Sequence, residues 1–439
     1  MRPDESTADL PRRLGLLPVA EREFLAAARG VARERAIQLY CVGGGVRDLL
    51  LDRPAPDLDL LVWRDLPGFA GALADRLGGR ACAHPEFLTA TLELPDGTAH
   101  DLAAARRERY PAPGALPEVE PASELVEDLA RRDFSVNALA LELPATGEPG
   151  RLHDPLGGLS DLGARRLRVL HAASFLDDPT RIVRGLRFEA RLGLRFDDPT
   201  RRLAVAALAG GALATVSPPR LRLQLDRAFE EAGTVPVELV RRGAEIGLWG
   251  AALGLSGPAS AAFASTLERL LAGLEEWRAA GIAALPSRRS LAWLALFQQL
   301  AEAERGPLAE RLGFSAAERA LLAGAPERTA EARRRLAGPT SPHVAHAALA
   351  ALAPAELLSL AVGGESAAGA AAWHEAGEWR QLRLSVGGKD LIAAGVPPGP
   401  RLGEALRRTF AARLDGEIGR EGELAFALAA GLPAPGPDA

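Results

Sequence analysis

The amino-acid sequence predicts an α+β fold, in which a mixed sheet with helices fills residues 1–145 and helices alone fill the rest. Two observations lead to this prediction. Short strand-forming runs alternate with helical segments in the head, and the turn sequence Pro-Asp-Gly at 95–97 joins two runs into a hairpin. Beyond about residue 160 strand signals vanish, and apolar residues recur at helical spacing to about residue 380.

The predicted elements of the head follow in a regular order. They are a helix at 21–36, a strand at 37–42, a helix at about 46–52, a strand at 57–62, a helix near 66–77 and a hairpin at 87–103. Residues 104–124 are rich in Arg, Pro and Glu and predict a loop. Helix and strand signals resume at 124–143.

The composition is that of a globular protein, with 48% hydrophobic and 25% charged residues and a net charge of −5. Apolar runs are too short to span a membrane, and the N-terminus has no secretory signal, so we expect a cytoplasmic protein without membrane contact. The two cysteines and the scattered histidines indicate neither a disulfide nor a structural metal. Residues 151–230 hold fourteen Arg against nine Asp or Glu, which fits either a phosphate-binding surface or a solvated helix face.

The stretch "DLDLLV" places two carboxylates on one face of a strand. A period of two puts Asp57 and Asp59 on the same side. A divalent cation such as Mg²⁺ would remove their mutual repulsion, whereas the exposed start of an edge strand would explain them equally well. Asp101, on the predicted strand "TAHDLA", is the candidate for a third catalytic carboxylate, or simply a strand-end aspartate.

The preceding "GGGVRD" lies between a predicted strand and a helix. Glycines there let backbone N–H groups approach a phosphate, and Arg47, one turn into the helix, can reach the same phosphate. The run is neither a P-loop nor a dinucleotide fingerprint. Gly44 and Arg47 are therefore candidate nucleotide ligands.

Two later segments carry further candidates. In "EDLARRDFSVNA", Arg132 suits a triphosphate, and Asp133 and Asn137 suit orientation of a ribose or of the loop, unless the segment is a surface salt-bridge set. In "FLDDPTRIVRGLRFEARLGL" one acid is followed by three arginines at steps of three. Such a series could form a ligand site that binds a base at one end and a triphosphate at the other. Alternatively, Asp178 only caps the helix. The residues of that series are Asp178, Arg181, Arg184 and Arg187.

In this order and spacing, the segments resemble the class II tRNA nucleotidyltransferases, or CCA-adding enzymes, and the related bacterial poly(A) polymerases. The matching stretches are "GGGVRDLLLDRPAPDLDL", "EDLARRDFSVNALAL", "DPLGGLSDL" and "DDPTRIVRGLRFEARLGL". The resemblance implies a polymerase-β-like head at 1–145, a neck at 146–235, a body at 236–380, a tail at 381–431 and a disordered end at 432–439. In the neck, the chain keeps the family's arginine as Arg220 but has Pro219 and Gln224 where the family usually has acidic residues.

The resemblance also implies roles for the candidates. Asp57 and Asp59 would bind Mg²⁺, and the tRNA 3′-hydroxyl would attack the α-phosphate of CTP or ATP and expel pyrophosphate. Asp178 and Arg181 would read the base, because cytosine and adenine both present an amino donor beside a ring-nitrogen acceptor, whereas guanine and uracil present the reverse. The remaining nucleotide ligands would be Gly44, Arg47, Arg132, Asp133, Asn137, Arg184 and Arg187. Three alternatives stay open: addition of only CC, addition of only A, and poly(A) synthesis. The intact Asp57, Asp59, Arg132 and Arg181 speak against a non-catalytic RNA-binding protein, and a small-molecule nucleotidyltransferase has no need of the long helical body. The sequence gives no oligomeric state.

Overall fold

The computed structural model describes residues 9–54, 58–145, 150–364 and 366–432. The chain divides into two compact units, Met1–Gly254 and Leu255–Ala439. The finer division into head, neck, body and tail stays a prediction, and residues 433–439 of the predicted disordered end lie outside the described residues.

The first unit mixes strands and helices. Its helices are α1 (Leu10–Gly15), α2 (Val19–Glu34), α3 (Gly44–Leu50), α4 (Leu66–Leu77), α5 (Leu125–Ala130), α6 (Gly158–Gly163), α7 (Ser174–Asp177), α8 (Thr180–Leu192), α9 (Asp198–Ala209), α10 (Pro218–Phe229), α11 (Val235–Glu245) and α12 (Leu248–Leu253). Its strands are β1 (Gln38–Val42), β2 (Asp59–Trp63), β3 (Arg80–His84), β4 (Thr89–Glu93), β5 (Ala99–Ala104), β6 (Arg106–Arg109), β7 (Glu118–Pro121), β8 (Ala140–Glu142), β9 (Leu152–His153), β10 (Arg166–Leu167) and β11 (Arg195–Phe196).

Seven of these strands form one sheet in the order β3-β4-β5-β2-β1-β8-β9. The pairing of β2 with β5 is parallel, whereas the other five pairings of this sheet are antiparallel. The predicted hairpin at 87–103 is confirmed as β4 and β5. The mixed head that the sequence predicts is thus present.

The prediction of a loop at 104–124 is wrong over part of its length. Strands β6 and β7 pair as an antiparallel ribbon, in which Arg107 lies opposite Glu120 and Arg109 opposite Glu118. Opposite charges facing each other across two strands stabilise the pairing without an apolar face. Such a ribbon therefore lacks the alternation of apolar and polar residues by which a strand is recognised.

The expectation that strands end at about residue 160 is also wrong in one place. β10 and β11 pair in parallel, with Arg166 opposite Arg195 and Leu167 opposite Phe196. Each strand has two residues, which is too short for a periodic signal.

A cluster of aromatic rings fixes helix α8 in the first unit. Phe134 packs against Phe175, Phe188 and Phe196 with ring centroids 6.0–6.5 Å apart. A Cβ atom at Gly185 would lie 2.4 Å from the Phe196 ring, so glycine allows the helix to approach this closely. The cluster fixes the position of helix α8, and with it the position of the candidate arginines that the helix carries.

Every regular element in the described residues of the second unit is a helix, as the sequence predicts. Its helices are α13 (Gly257–Ala279), α14 (Arg288–Phe297), α15 (Glu302–Arg311), α16 (Ala316–Arg335), α17 (Pro342–Leu349), α18 (Pro354–Ala361), α19 (Ala367–Gly377), α20 (Gly388–Ala393), α21 (Pro400–Leu414) and α22 (Glu423–Gly431). Trp293, Phe297 and Phe314 pack edge to face in its core. No helix among the described residues of the chain is long and apolar enough to cross a membrane.

Candidate active site

One cavity of about 910 Å³ in the first unit gathers the predicted site residues that the structure describes. Asp57 lies outside the described residues, so its predicted role as a metal ligand stays a prediction. The other predicted residues all line the cavity: Gly44, Arg47, Asp59, Asp101, Arg132, Asp133, Asn137, Asp178, Arg181, Arg184 and Arg187.

Asp59 is the first residue of β2, and Asp101 is the third residue of β5, its parallel partner. Leu60 lies opposite Leu102, so the two aspartates occupy the same register step and the same side of the sheet. Both aspartates are exposed, and Asp101 Oδ1 accepts a hydrogen bond from Thr91 Oγ1 at 3.1 Å. Two exposed carboxylates side by side supply oxygen ligands of the kind that Mg²⁺ takes. Among the described residues, however, no group of three or more His, Cys, Asp or Glu stands ready for a metal.

Gly43, rather than Gly44, is the glycine that the geometry requires. Its φ of +70° lies in the left-handed region, and a Cβ atom there would lie 2.8 Å from Arg132 Nη1 and 3.5 Å from Asp59 Oδ2. Gly44 already belongs to helix α3, and its Cβ would meet only the guanidinium of Arg47, at 3.4 Å. The Gly43 turn thus lets Arg132 and Asp59 approach the same point of the backbone.

A chain of hydrogen bonds joins four predicted nucleotide ligands across three elements. Arg47 Nη1 donates to Asn137 Oδ1 at 2.5 Å, Asn137 Nδ2 donates to Asp133 Oδ1 at 2.8 Å, and Arg184 Nη2 donates to Asp133 Oδ2 at 2.7 Å. Arg47, Asp133 and Asn137 are buried. The segment is a salt-bridge set, as the alternative holds, because Arg131 and Arg132 each pair with Asp128 at 2.8 Å. Only the surface placement is wrong, since Asp128 and Asp133 are buried.

Asp133 is held as a charged group by this chain. Burial alone would raise its pKa, but the charge of Arg184 and the hydrogen bonds from Asn137 and Arg184 outweigh burial and keep the pKa below 3.8. Because both of its oxygens accept bonds from the protein, Asp133 orients its neighbours.

Asp178 and Arg181 lie at the start of helix α8, and the protein hydrogen-bonds only some of the polar atoms of each side chain. Asp178 Oδ1 accepts from the Thr180 backbone N–H at 3.1 Å and from Thr180 Oγ1 at 2.7 Å. The N-cap position of helix α8 is Pro179, so Asp178 bonds the first turn from one residue before the cap. Asp178 Oδ2 accepts no hydrogen bond from the described residues. Arg181 Nη1 donates to Ser174 Oγ at 2.8 Å, and Nη2 donates to the Arg131 carbonyl at 2.9 Å. Its Nε–H has no partner among the described residues.

The cavity is electropositive, because ten arginines and six carboxylates line it. Burial, followed by the charge of Arg184, lowers the pKa of Arg187 to about 10, which still leaves Arg187 charged at neutral pH. The Nε–H groups of Arg106, Arg132 and Arg187 are buried and donate no hydrogen bond to any described residue. Such a wall suits a polyanion.

Among the lining residues that sequence reasoning missed, two contact the pair Asp178 and Arg181. Tyr110 Oη accepts from Arg181 Nη2 at 3.3 Å, and Arg220 Nη2 donates to Asp178 Oδ1 at 3.3 Å. Tyr110 lies in the stretch predicted as a loop, where no periodic signal singles it out. Arg220 could have been found, since it is the family arginine that the neck sequence retains.

Comparison with known proteins places this geometry in a family. Residues 39–168 match the family model described as "Poly A polymerase head domain". The CC-adding tRNA nucleotidyltransferase of Deinococcus radiodurans is 35% identical over 397 residues, which cover 90% of each chain. The chain belongs to the tRNA nucleotidyltransferase family.

Other members of this family match over a shorter length or at lower identity. The A-adding enzyme of Halalkalibacterium halodurans is 41% identical over 235 residues, which are 53% of this chain and 54% of that protein. Two further A-adding relatives are covered over 24% and 23% of their length, so the chain spans about half or less of these relatives. The solved structure "CCA-adding enzyme apo form II" is 25% identical and superposes with a TM-score of 0.77, covering 95% of this chain and 97% of that one.

Proposed function

We propose that this protein adds CMP and AMP to the 3′ end of tRNA without a nucleic-acid template, and so completes the CCA sequence. The observation that carries the proposal is the single cavity in which Asp59 and Asp101 face an arginine wall with Asp178 and Arg181. Carboxylates for metal, cations for a triphosphate and a pair able to read a base are what a nucleotidyl transfer of this kind needs.

The residues divide the chemistry among them. The 3′-hydroxyl of the tRNA loses its proton to water as its oxygen forms a bond to the α-phosphorus. The bond from that phosphorus to the bridging oxygen breaks, and pyrophosphate leaves with its charge facing the arginine wall. Mg²⁺, which Asp59, Asp101 and the sequence-predicted Asp57 would hold, would stabilise the charge that develops on the α-phosphate. Arg132 and Arg187 would bind the triphosphate, and Arg47, Asn137, Asp133 and Arg184 would keep the wall in place.

Base choice would rest on Asp178 and Arg181. Asp178 Oδ2 would accept from the amino group of cytosine or adenine, and Arg181 Nε–H would donate to the adjacent ring nitrogen. Guanine and uracil would place a carbonyl against the carboxylate and an N–H against the guanidinium. Each such mismatch of a buried group costs about 1–3 kcal/mol, which is enough to exclude GTP and UTP.

A specialised enzyme is the second candidate, and the relatives favour it. The relative covered over 90% of both chains carries the name CC-adding, and the relative at 41% identity carries the name A-adding. Poly(A) synthesis is a further alternative, since the matching head model bears that name. The proposed partners are tRNA, CTP and ATP. The proposed location is the cytoplasm, which the free Cys41 and Cys82 support.

One assay separates these activities. Purified protein receives Mg²⁺, labelled CTP and ATP separately and together, and tRNAs that end before CCA, after C or after CC; products are then resolved by length. Extension of all three tRNAs to a complete CCA end would support the proposal, whereas extension of only the last, or no addition of A, would assign A-adding or CC-adding activity. Long A tracts on unrelated RNA would indicate a poly(A) polymerase.

Two variants control the assay. Asp59→Ala should abolish addition on every tRNA, because it removes a metal ligand. Asp75→Ala should retain it, because Asp75 is exposed on helix α4 and does not line the cavity. Full activity of Asp59→Ala would refute the proposed metal site.

A further inference from the structure

Arg220 is the one long-range donor to the Asp178 carboxylate among the described residues. Thr180, two positions along the chain, supplies the other two hydrogen bonds to Oδ1. Arg220 comes from the first turn of helix α10, 42 positions away, and its Nη2 lies 3.3 Å from the same oxygen. All three donors therefore meet Oδ1, and Oδ2 is the oxygen that no described residue binds.

The other terminal guanidinium nitrogen of Arg220, Nη1, contacts the segment between β6 and β7. Arg220 Nη1 donates to the Gly114 carbonyl at 2.6 Å. The Gly114 N–H lies 3.1 Å from the Leu176 carbonyl and 3.2 Å from the Asp177 carbonyl, directly before Asp178. Gly114 is thus hydrogen-bonded both to Arg220 and to the two residues that directly precede Asp178.

Gly114 occupies this place because the site admits no side chain. Its φ is +70°, and a Cβ atom would lie 2.1 Å from Thr215 Oγ1 and 2.8 Å from the Thr215 carbonyl carbon. Any other residue would have to shift the segment away from Thr215, and the carbonyl that Arg220 binds would shift with it.

We propose that Arg220 is a positioning residue for base selection. By binding Asp178 Oδ1 and the Gly114 carbonyl at once, it fixes the plane of the carboxylate and keeps Oδ2 directed at the incoming base. A carboxylate held only by Thr180, from its own turn, is free to rotate about χ2 and to meet a base with either oxygen. The inference rests on the proposed function, because it assigns Arg220 to the base-reading pair of that activity.

The test measures equilibrium binding of ATP, CTP, GTP and UTP, each with Mg²⁺ and without tRNA, by the full-length protein and its variants. We expect Arg220→Ala to lower the preference for CTP and ATP over GTP and UTP about tenfold, the effect of one charge-assisted hydrogen bond. Arg220→Lys should restore part of the preference, because an ammonium reaches one acceptor but cannot bind both as a planar fork does.

Two further variants test whether Arg220 changes nucleotide preference through its contacts with Gly114 and Asp178. Gly114→Ala should lower the preference in the same direction, although Gly114 is not part of the base-reading pair. Arg222→Ala is the matched control on helix α10: Arg222 pairs with Asp226 at 3.3 Å and does not line the cavity, so the preference should not change.

Several outcomes would overturn the inference. An unchanged preference in Arg220→Ala, an equal weakening of all four nucleotides, or no preference in the wild-type protein would each do so. If Arg220→Ala fails to fold, Arg220→Lys and Gly114→Ala decide in its place. A protein that prefers CTP and ATP in this experiment but extends no tRNA would refute the proposed function and leave the role of Arg220 supported.

Discussion

Asp133 accepts hydrogen bonds at both carboxylate oxygens, although the residue is only 8% exposed. From the sequence, Arg184 reads as a ligand for phosphate and Asp133 as a residue that orients a ribose. The structure pairs them with each other. Residue type and spacing identify which side chains share a site, but the partner of each depends on contacts over 51 positions of the chain.

Replacing Asp133 by Asn should destabilise the protein by about 3 kcal/mol at pH 7, because it leaves the Arg184 guanidinium without its counter-charge. The wild-type pKa is held below 3.8, so the contribution of Asp133 is complete above that pH. It is lost as the pH falls through the folded-state pKa, where the two proteins should converge. Urea unfolding at a series of pH values from 7 to 3 measures the difference.

Asp75→Asn serves as the control for that series, since Asp75 is exposed on α4. Its effect should stay within about 0.5 kcal/mol at every pH. A constant difference between wild type and Asp133→Asn down to pH 3 would contradict the ion pair as its cause.

At the scale of elements, the turn from β1 into α3 depends on one backbone conformation. Gly43→Ala should destabilise the fold by about 1–2 kcal/mol, because alanine is strained at a φ of +70°. Its Cβ would also displace Arg132, so nucleotide addition should fall at least about tenfold, a loss of ~1.4 kcal/mol in the transition state. Thermal unfolding and steady-state kinetics measure the two effects.

Gly71 provides the matched control for this element. It lies inside α4, where an added Cβ atom would meet no other atom within 4 Å, so Gly71→Ala should raise stability by about 0.5–1 kcal/mol and preserve activity. Normal kinetics in Gly43→Ala would show that Arg132 tolerates displacement.

Elements with strong local signals were predicted well, and elements defined by pairing were not. Helix α4 has the predicted bounds, 66–77, because Pro67 stands in its first turn and Gly78 ends it in a left-handed conformation. Strand β3 was missed, since its residues alternate weakly and mostly face solvent. Strands β6 and β7 were missed for a similar reason, because they lack a clear apolar alternation. Tyr110, which directly follows β6, was missed with them.

At the scale of the whole molecule, every residue that lines the cavity belongs to the unit Met1–Gly254. A fragment of residues 1–254 should therefore bind ATP within about twofold of the full chain, the margin expected for distant, independent parts. Circular dichroism establishes that the fragment folds, and equilibrium binding gives its affinity. A folded fragment that binds no ATP would show that the second unit completes the site.

The parallel pairing of β2 with β5 has a consequence for the order in which the protein acquires activity. Asp59 and Asp101 meet only when strands 42 positions apart in the chain find the same register, whereas helices form from neighbours. During refolding, ellipticity should recover first and nucleotide addition last. The rate at which catalysis returns therefore measures the slow, non-local step of folding.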